Sequence, residues 1–288
     1  MINIFILNWN SSTDIECSLN NIQSSKLAEY RVILIDNNSS KIDINNLHII
    51  YRKYKDLLEI HLVFNKENYG YTGGNNKGYE YIKTKKLSGD ILILNPDIIL
   101  SNNTLFEMSS TLVDNVGAVM PRTLNNHNTI ICDYIKLDGF KQYFLTTEKT
   151  IVETDYVAGY CMLLKRSVID EVGLLDESFF MYWEEIDLAL RIKDKGYNLI
   201  STTNTTIIRK GNSDKRYANA VYFYIRNPFI LSTKYNHFSK RKLFIFIIRS
   251  FISQFILENK VFYFFRMKKY FQGVFDGLKI LYNSNKTI

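Results

Sequence analysis

The sequence predicts an α/β fold built on a mostly parallel central sheet flanked by helices, with a helical appendage at its C-terminal end. Three observations predict it. Four early segments are short, aliphatic and β-rich, and each ends on Asn or Asp: Ile4–Asn8, Val32–Asp36, His61–Asn65 and Ile91–Asn95. Stretches long enough for crossover helices separate them, which is the alternation of parallel βαβ units. A chain of 288 residues, 46% hydrophobic and 14% aromatic, can bury a full core without disulfides.

Each element follows from its pattern. Met1–Asn8 has no basic start, long apolar run or small-residue cleavage site, so it reads as a first strand and not as a leader. Continuous apolar runs in the four segments imply strands buried on both faces. Helices are expected over Ser12–Ala28, Ser40–Tyr54 and Thr72–Lys86. The four polar strand ends then share one edge. Ligands bind outside the carboxyl ends of such strands, so Asn8, Asp36, Asn65, Asn95 and Asp97 converge on one expected site. Any one of them taken alone is equally a helix cap or turn former. The glycine-rich stretch Asn68–Gly78 is expected to let backbone approach a ligand at the start of a helix, whose amide end favours anions. It matches neither the Walker loop nor the dinucleotide fingerprint.

In the second half, Tyr156–Arg166 contains a strand and Trp183–Lys195 has helical periodicity. On that helix Glu184, Asp187 and Arg191 share a face, and Glu185 is offset by about 100°. Two acids at a helix start complement its dipole; they also suit general-base chemistry. The aromatic run Phe179–Trp183 before them is expected to form a dry wall that raises a carboxyl pKa.

Composition bounds partners and compartment. Cys17, Cys132 and Cys161 are widely spaced with no CxxC pair, which fits a reducing compartment and neither a zinc site nor a disulfide ladder. Residues 1–233 carry 25 basic and 27 acidic side chains, whereas 234–288 carry 11 and 2. The expected organisation is a binding and catalytic domain over 1–215 and a basic, aromatic helical region over 216–288. Leu243–Leu257 is interrupted by Arg249 and falls short of the roughly 20 apolar residues that span a bilayer. Alternating basic and apolar blocks there predict helices lying on an anionic membrane surface, against the alternative of helices packed on the main domain. Nucleic acid is excluded as a partner, because the positive charge is confined to the tail and no helix-turn-helix, RRM or zinc pattern is present.

Several segments together resemble the inverting nucleotide-sugar glycosyltransferases of family 2, over about residues 1–230. They are Ile35-Asp-Asn-Asn-Ser-Ser40, Asn68–Gly78, Leu94-Asn-Pro-Asp97, Gly159–Arg166, Gly173–Phe180, Glu184-Glu-Ile-Asp187 with Arg191, and Tyr224-Ile-Arg-Asn227. The chain is most similar to rhamnosyltransferase-like members of bacterial surface-polysaccharide pathways such as O-antigen or capsule. The resemblance implies the Rossmann-like GT-A fold. It implies that Asn8, Asp36 and Asn38 hold the donor nucleoside, and that Asn68, Gly73, Asn76 and Asn95 line the same pocket. Asp97 would ligate Mg²⁺ or Mn²⁺ on the donor diphosphate. Glu185 would be the general base, Glu184 its assistant, and Gly159, Tyr160 and Trp183 would border the sugar and acceptor. Arg191 is expected to be a structural partner of Asp187 or Glu184. Two departures stand out. Glu185 is longer than the family's usual Asp, and Ile208-Arg-Lys-Gly-Asn-Ser213 lacks the metal-binding His that many relatives carry there. Arg209 or Lys210 is expected to neutralise the diphosphate instead, with weaker metal dependence. The implied activity moves one sugar, first of all rhamnose from dTDP-rhamnose, to a lipid-linked oligosaccharide or other glycan acceptor. The enzyme would be cytoplasmic and peripheral on the inner face of the cell membrane. Transfer from a UDP-hexose or UDP-N-acetylhexosamine is the alternative within the fold. A catalytically silent nucleotide-sugar or glycan-binding protein is the alternative outside catalysis.

Overall fold

The computed structural model describes residues 1–26, 29–209, 214–253 and 263–284, with the side chains of 214–219 and 263 excepted. Strands β1 (Ile2–Asn8), β2 (Tyr30–Asp36), β3 (Ile60–Phe64) and β4 (Asp90–Leu94) alternate with helices α1 (Ser12–Gln23), α2 (Lys41–Tyr54) and α3 (Gly70–Thr84). They form the parallel block β3-β2-β1-β4. Asn8 pairs in register with Asp36, and Asp36 with Phe64, so the polar strand ends do lie along one edge.

Side-chain alternation explains the two layers. Phe5, Ile33, Ile35, Ile91 and Ile93 face one core, whereas Ile4, Ile6, Val32, Leu34, Leu92 and Leu94 face the other. Helix α1 adds Ile15, Leu19 and Ile22 to the second core at the i, i+4, i+7 spacing of one helical face. At the start of α2 the Ser40 hydroxyl accepts from the Asp43 amide at 3.3 Å and caps it.

The chain continues through β5 (Ile98–Leu100), α4 (Thr104–Thr111), β6 (Val116–Leu124), β7 (Ile130–Cys132), β8 (Tyr134–Asp138), β9 (Lys141–Leu145) and β10 (Ile151–Glu153). Then come β11 (Cys161–Leu164), α5 (Arg166–Val172), a 3-10 turn at Glu177–Phe179, α6 (Glu184–Asp194) and β12 (Asn198–Arg209). Strand β11 is antiparallel to both β4 and β6, and the sheet runs on through β12 to β10. Strands β8 and β9 form a separate hairpin. Strand β6 contains Pro121, which ordinarily argues against an interior strand. The sheet accommodates it at an irregularity, where the β6–β12 register jumps between Thr202, opposite Pro121, and Thr206, opposite Arg122.

Helices α7 (Asp214–Lys234), α8 (Lys240–Ile252) and α9 (Tyr263–Ser284) complete the described chain. The expected division between 215 and 216 falls in the first turn of α7. Val221, Ile225 and Phe229 of α7, Phe246 of α8 and Tyr270 of α9 share one hydrophobic core with Ile186 of α6 and Phe5 of β1. Gly273 lets α9 approach α7 closely, because a Cβ there would lie 2.7 Å from the Tyr222 carbonyl oxygen. The outer faces remain apolar, with Phe244, Ile245 and Ile248 of α8 and Phe271, Phe275 and Leu278 of α9 exposed. No helix among the described residues is long and apolar enough to cross a membrane.

Candidate active site

At the strand ends, the buried Asn8 amide donates to Asp36 Oδ1 at 2.8 Å and Asp43 Oδ2 at 2.6 Å. Its own oxygen accepts from the backbone and hydroxyl of Ser11. Asn8 therefore acts as a strut that orients Asp36, and its polar atoms are engaged inside the protein. The second Asp36 oxygen accepts from the Ser39 amide at 3.0 Å. Asn38, exposed with φ 61°, lies in the turn that follows. The neighbouring Asn37 organises the next loop. Its amide donates to Asn68 Oδ1 at 2.8 Å and to the Gly70 carbonyl at 2.9 Å, and its oxygen accepts from Asn65 and from the Tyr69 amide. Sequence reasoning gave Asn37 no role, although an Asn between two singled-out polar residues was its available signal.

The glycines that follow serve packing. A Cβ on Gly74 would lie 2.6 Å from Leu7 Cδ1, one on Gly73 2.7 Å from Tyr69 Cβ, and one on Gly78 2.5 Å from Ile35 Cδ1. Gly70, with φ 72°, faces the Phe180 carbonyl. Helix α3 thus needs glycine to lie against the sheet and the 180 turn. The Asn76 side chain is engaged inside the protein. Its amide clamps the Leu175 backbone in both directions, at 2.8 and 3.1 Å, and it lines a surface hollow with Tyr79, Glu80 and Glu177.

Asn95 and the half-buried Asp97 form the turn between β4 and β5. The Asn95 backbone N–H donates to the Tyr160 carbonyl at 2.9 Å, and β5 pairs with β12 so that Ile98 lies opposite Arg209. The Arg209 guanidinium sits 4.8 Å from the centre of the Tyr160 ring, a cation–π contact. Tyr160 also shares a hydrogen bond with Thr123 at 2.9 Å. Gly159 accepts from the Tyr71 hydroxyl. Lys210 lies outside the described residues.

Glu184 and Glu185 open α6. Glu184 is 4% exposed, and the Oε2 atom of each carboxylate is buried with no hydrogen-bond partner. Such an atom is costly unless its group is neutral or a substrate completes its bonding. Burial, then the charge of Glu185, pushes Glu184 well above the ordinary carboxylate range. Burial raises Glu185 as well, but backbone hydrogen bonds and the Arg209 charge counter it. Burial thus favours the protonated form of both acids, and two adjacent carboxyls of this kind titrate as a pair. Burial, followed by the charges of the two acids, also holds the Tyr71 hydroxyl protonated.

The other acid of that helix is structural. Buried Asp187 accepts from Arg191 at 2.8 Å, from Tyr235 at 2.8 Å and from Lys234. Arg191 donates its remaining N–H groups to the Val172, Gly173 and Leu174 carbonyls, tying α6 to the end of α5. Trp183 requires a correction. It is 2% exposed, its indole donates to the Tyr224 carbonyl at 3.0 Å, and its ring packs on Phe140, Tyr224 and Phe246. It is a core anchor beneath the C-terminal helices and not a wall of the sugar site.

The glycosyl transferase family 2 profile matches residues 3–173. The chain belongs to that family. It is 28% identical over 242 residues to the low-salt glycan biosynthesis hexosyltransferase Agl10 of Haloferax volcanii, covering 80% of this chain and 75% of the relative. It is 26% identical over 250 residues to the rhamnosyltransferase WbbL of Escherichia coli K12, covering 80% and 91%. The fold is similar to that of the mannosyltransferase PcManGT of Pyrobaculum calidifontis, solved with GDP-Man and Mn²⁺, at TM-score 0.59 and 13% identity, over 99% of this chain and 75% of that one. The α/β architecture is thus the GT-A fold, and the protein is a glycosyltransferase.

A divalent cation fits this donor set in one way. Among the described residues no three His, Cys, Asp or Glu side chains gather as a protein-only cage. Asp97, the carboxylate expected to meet Mg²⁺ or Mn²⁺, would be one protein ligand for ions that keep waters and take further ligands from a substrate's phosphates.

Proposed function

We propose that this glycosyltransferase works with inversion, moving one sugar from a nucleoside diphosphate donor to a lipid-linked glycan acceptor in the assembly of a bacterial surface polysaccharide. The observation that carries the reading is the Glu184–Glu185 pair, with one buried, unbonded oxygen on each acid, and with backbone hydrogen bonds and then the Arg209 charge favouring the ionised form of Glu185. Glu185 takes the proton of the acceptor hydroxyl as that oxygen attacks the anomeric carbon. The bond from that carbon to the diphosphate oxygen breaks on the opposite face, and the nucleoside diphosphate leaves with the electron pair. Glu184, still protonated, donates to the acceptor and orients it. Asp36, with Asn38 and Asn68 in the loops beside it, holds the nucleoside end. Asp97 would hold Mg²⁺ or Mn²⁺ together with the diphosphate, and the cation would neutralise the charge that grows on the leaving group. Arg209 supplies a second, protein-borne positive charge for that purpose.

Rhamnose from dTDP-rhamnose is the donor favoured by similarity to a rhamnosyltransferase matched over 91% of its length. Similarity to a hexosyltransferase supports a UDP-hexose as the second reading. The exposed apolar rows on α8 and α9, interspersed with Lys240, Arg241, Lys242, Arg249, Lys268 and Lys269, support peripheral attachment to the anionic inner face of the membrane, where a lipid-linked acceptor is found. A thermal-shift panel of dTDP-rhamnose, UDP-glucose, UDP-galactose and UDP-N-acetylglucosamine with Mg²⁺ tests the donor, because a ligand of the folded state raises the melting point according to its affinity. Stabilisation by dTDP-rhamnose above the others is expected; no response to any nucleotide sugar would overturn the reading.

A further inference from the structure

The motif Tyr224–Asn227 was recognisable in the sequence without a role, and it sits beside the most contorted backbone of the site. Between the 3-10 turn and α6, Phe180, Tyr182 and Trp183 have φ of 63°, 67° and 73°, the left-handed region that side-chain-bearing residues rarely adopt. Such a turn persists only where its surroundings over-determine it. Here one side chain does most of that. Asn227, fully buried on α7, places its amide nitrogen 2.8 Å from the Phe179 carbonyl, 2.7 Å from that of Met181 and 2.8 Å from that of Tyr182. Its oxygen accepts from Arg226 Nε at 2.8 Å, and Arg226 Nη2 donates to the Ser178 and Phe179 carbonyls. The remaining carbonyl, Phe180, accepts from the Thr72 amide of α3 at 3.1 Å. Every carbonyl from Ser178 to Tyr182 is therefore gripped from α7 or α3. An amide is required at 227: a carboxylate there would face three carbonyl oxygens, and an aliphatic side chain would strand them inside the protein.

We propose that Asn227 is a positioning residue for the reaction: it holds the left-handed turn in the shape from which Glu184 and Glu185 are delivered, side by side and shielded from water, at the start of α6. The proposal rests on the reading of Glu185 as the base. The groups that face the two acids are Tyr71 from α3, Tyr156 ahead of β11 and Arg209 from β12. Asn227 touches none of these in the hydrogen bonds it makes, so its influence on the acids passes through the turn.

The test compares full-length wild type, Asn227→Ala and Asn227→Ser by hydrogen exchange and by transfer kinetics across pH. In Asn227→Ala, amides of residues 180–187 should exchange at least about tenfold faster while β1, β2 and β4 keep their protection, since local opening is a separate event from global unfolding. Its kcat should fall by about 10- to 100-fold, within the range a displaced general base forfeits. The donor KM should hold, and the acid-side midpoint of the rate profile should move toward the ordinary carboxylate value as water reaches the pair. Asn227→Ser, which keeps one donor, should fall between, and it replaces the alanine variant if that one does not fold. A folded variant with wild-type exchange over 180–187 would overturn the proposal, as would faster exchange spread evenly over the sheet or a lower rate with an unmoved midpoint. If wild type itself transfers no sugar, the base assignment fails, whereas the exchange data still report whether Asn227 holds the turn.

Discussion

Glu184→Gln gives a test of the acid pair that needs no knowledge of the sugar. The buried Glu184 carboxyl is raised by desolvation and by its neighbour. Above the ordinary value of 4.5, the unfolded chain releases a proton that the native protein retains. Stability therefore falls as pH rises through the window between the unfolded and the native pKa, with a slope of at most about 1.4 kcal/mol per pH unit for one proton. A chain of this size has a melting entropy of roughly 0.6 kcal/mol/K, so the slope corresponds to about 2 °C per pH unit. Glutamine has no proton to release. The melting point of Glu184→Gln minus that of wild type should thus grow by about 2 °C per unit upward from pH 5, and level off once Glu184 ionises. A constant offset from repacking the new amide does not affect that slope. The depressed acids Glu59, Asp155, Asp170 and Asp176 titrate below this window and are common to both proteins, so they cancel. Scanning calorimetry at fixed ionic strength from pH 5 to 8 makes the measurement. Parallel curves for the two proteins would refute the claim that Glu184 holds its proton in the fold.

Glu185→Gln should lower kcat by about 10²- to 10⁴-fold while stabilisation by the donor nucleotide persists; nucleotide binding without turnover in wild type, unchanged in this variant, would favour a silent binding protein. Transfer measured in EDTA should fall only in part, because Arg209 already brings positive charge to Tyr160, whose carbonyl the Asn95 backbone N–H holds; complete loss restored by Mn²⁺ would count against weak metal dependence. In flotation with phosphatidylglycerol vesicles, the protein should co-migrate at low salt and be released as salt screens its basic side chains. Exchanging Phe271 and Phe275 for Ser should weaken that binding, and equal binding to neutral vesicles would argue against an anionic surface.

The strand ends were readable because their signal is local. An aliphatic run closing on Asn or Asp marks both a buried strand and its carboxyl edge, and Asn8 and Asp36 do meet there at 2.8 Å. What was not readable is what each polar atom is used for. Asn8 and Asn76 carry the same amide as any ligand-binding Asn, but Asp43 and Leu175, which consume those amides, lie 35 and 99 residues away. The glycines of α3 illustrate the same gap. Their number suggests backbone freedom, whereas Leu7 and Ile35, which need the space, belong to earlier strands. Trp183 was misplaced for a related reason. An aromatic residue before two acids looks alike whether it faces a cleft or a core, and Phe140 and Phe246, which settle the matter, come from a hairpin and a late helix.

The proposed division of labour between the two acids is the furthest case of this dependence on distant chain. Adjacent glutamates at a helix start are chemically identical in sequence, and burial raises both. Backbone hydrogen bonds at the start of α6, and after them the Arg209 charge from β12, counter the burial of Glu185, while Glu184 feels the added charge of its neighbour. That strand reaches the site because β5 pairs with its last residues, opposite Ile98. The turn that carries Asp97 is thereby joined to the strand that brings the Arg209 charge toward Glu185. Changing Arg209 should consequently disturb both ends of the reaction: Arg209→Met is expected to weaken diphosphate affinity and to shift the acid-side midpoint of the rate profile upward, since Glu185 then loses the charge that favours its ionised form. An unchanged midpoint with weakened donor binding would separate the two roles and leave Arg209 as a phosphate contact alone.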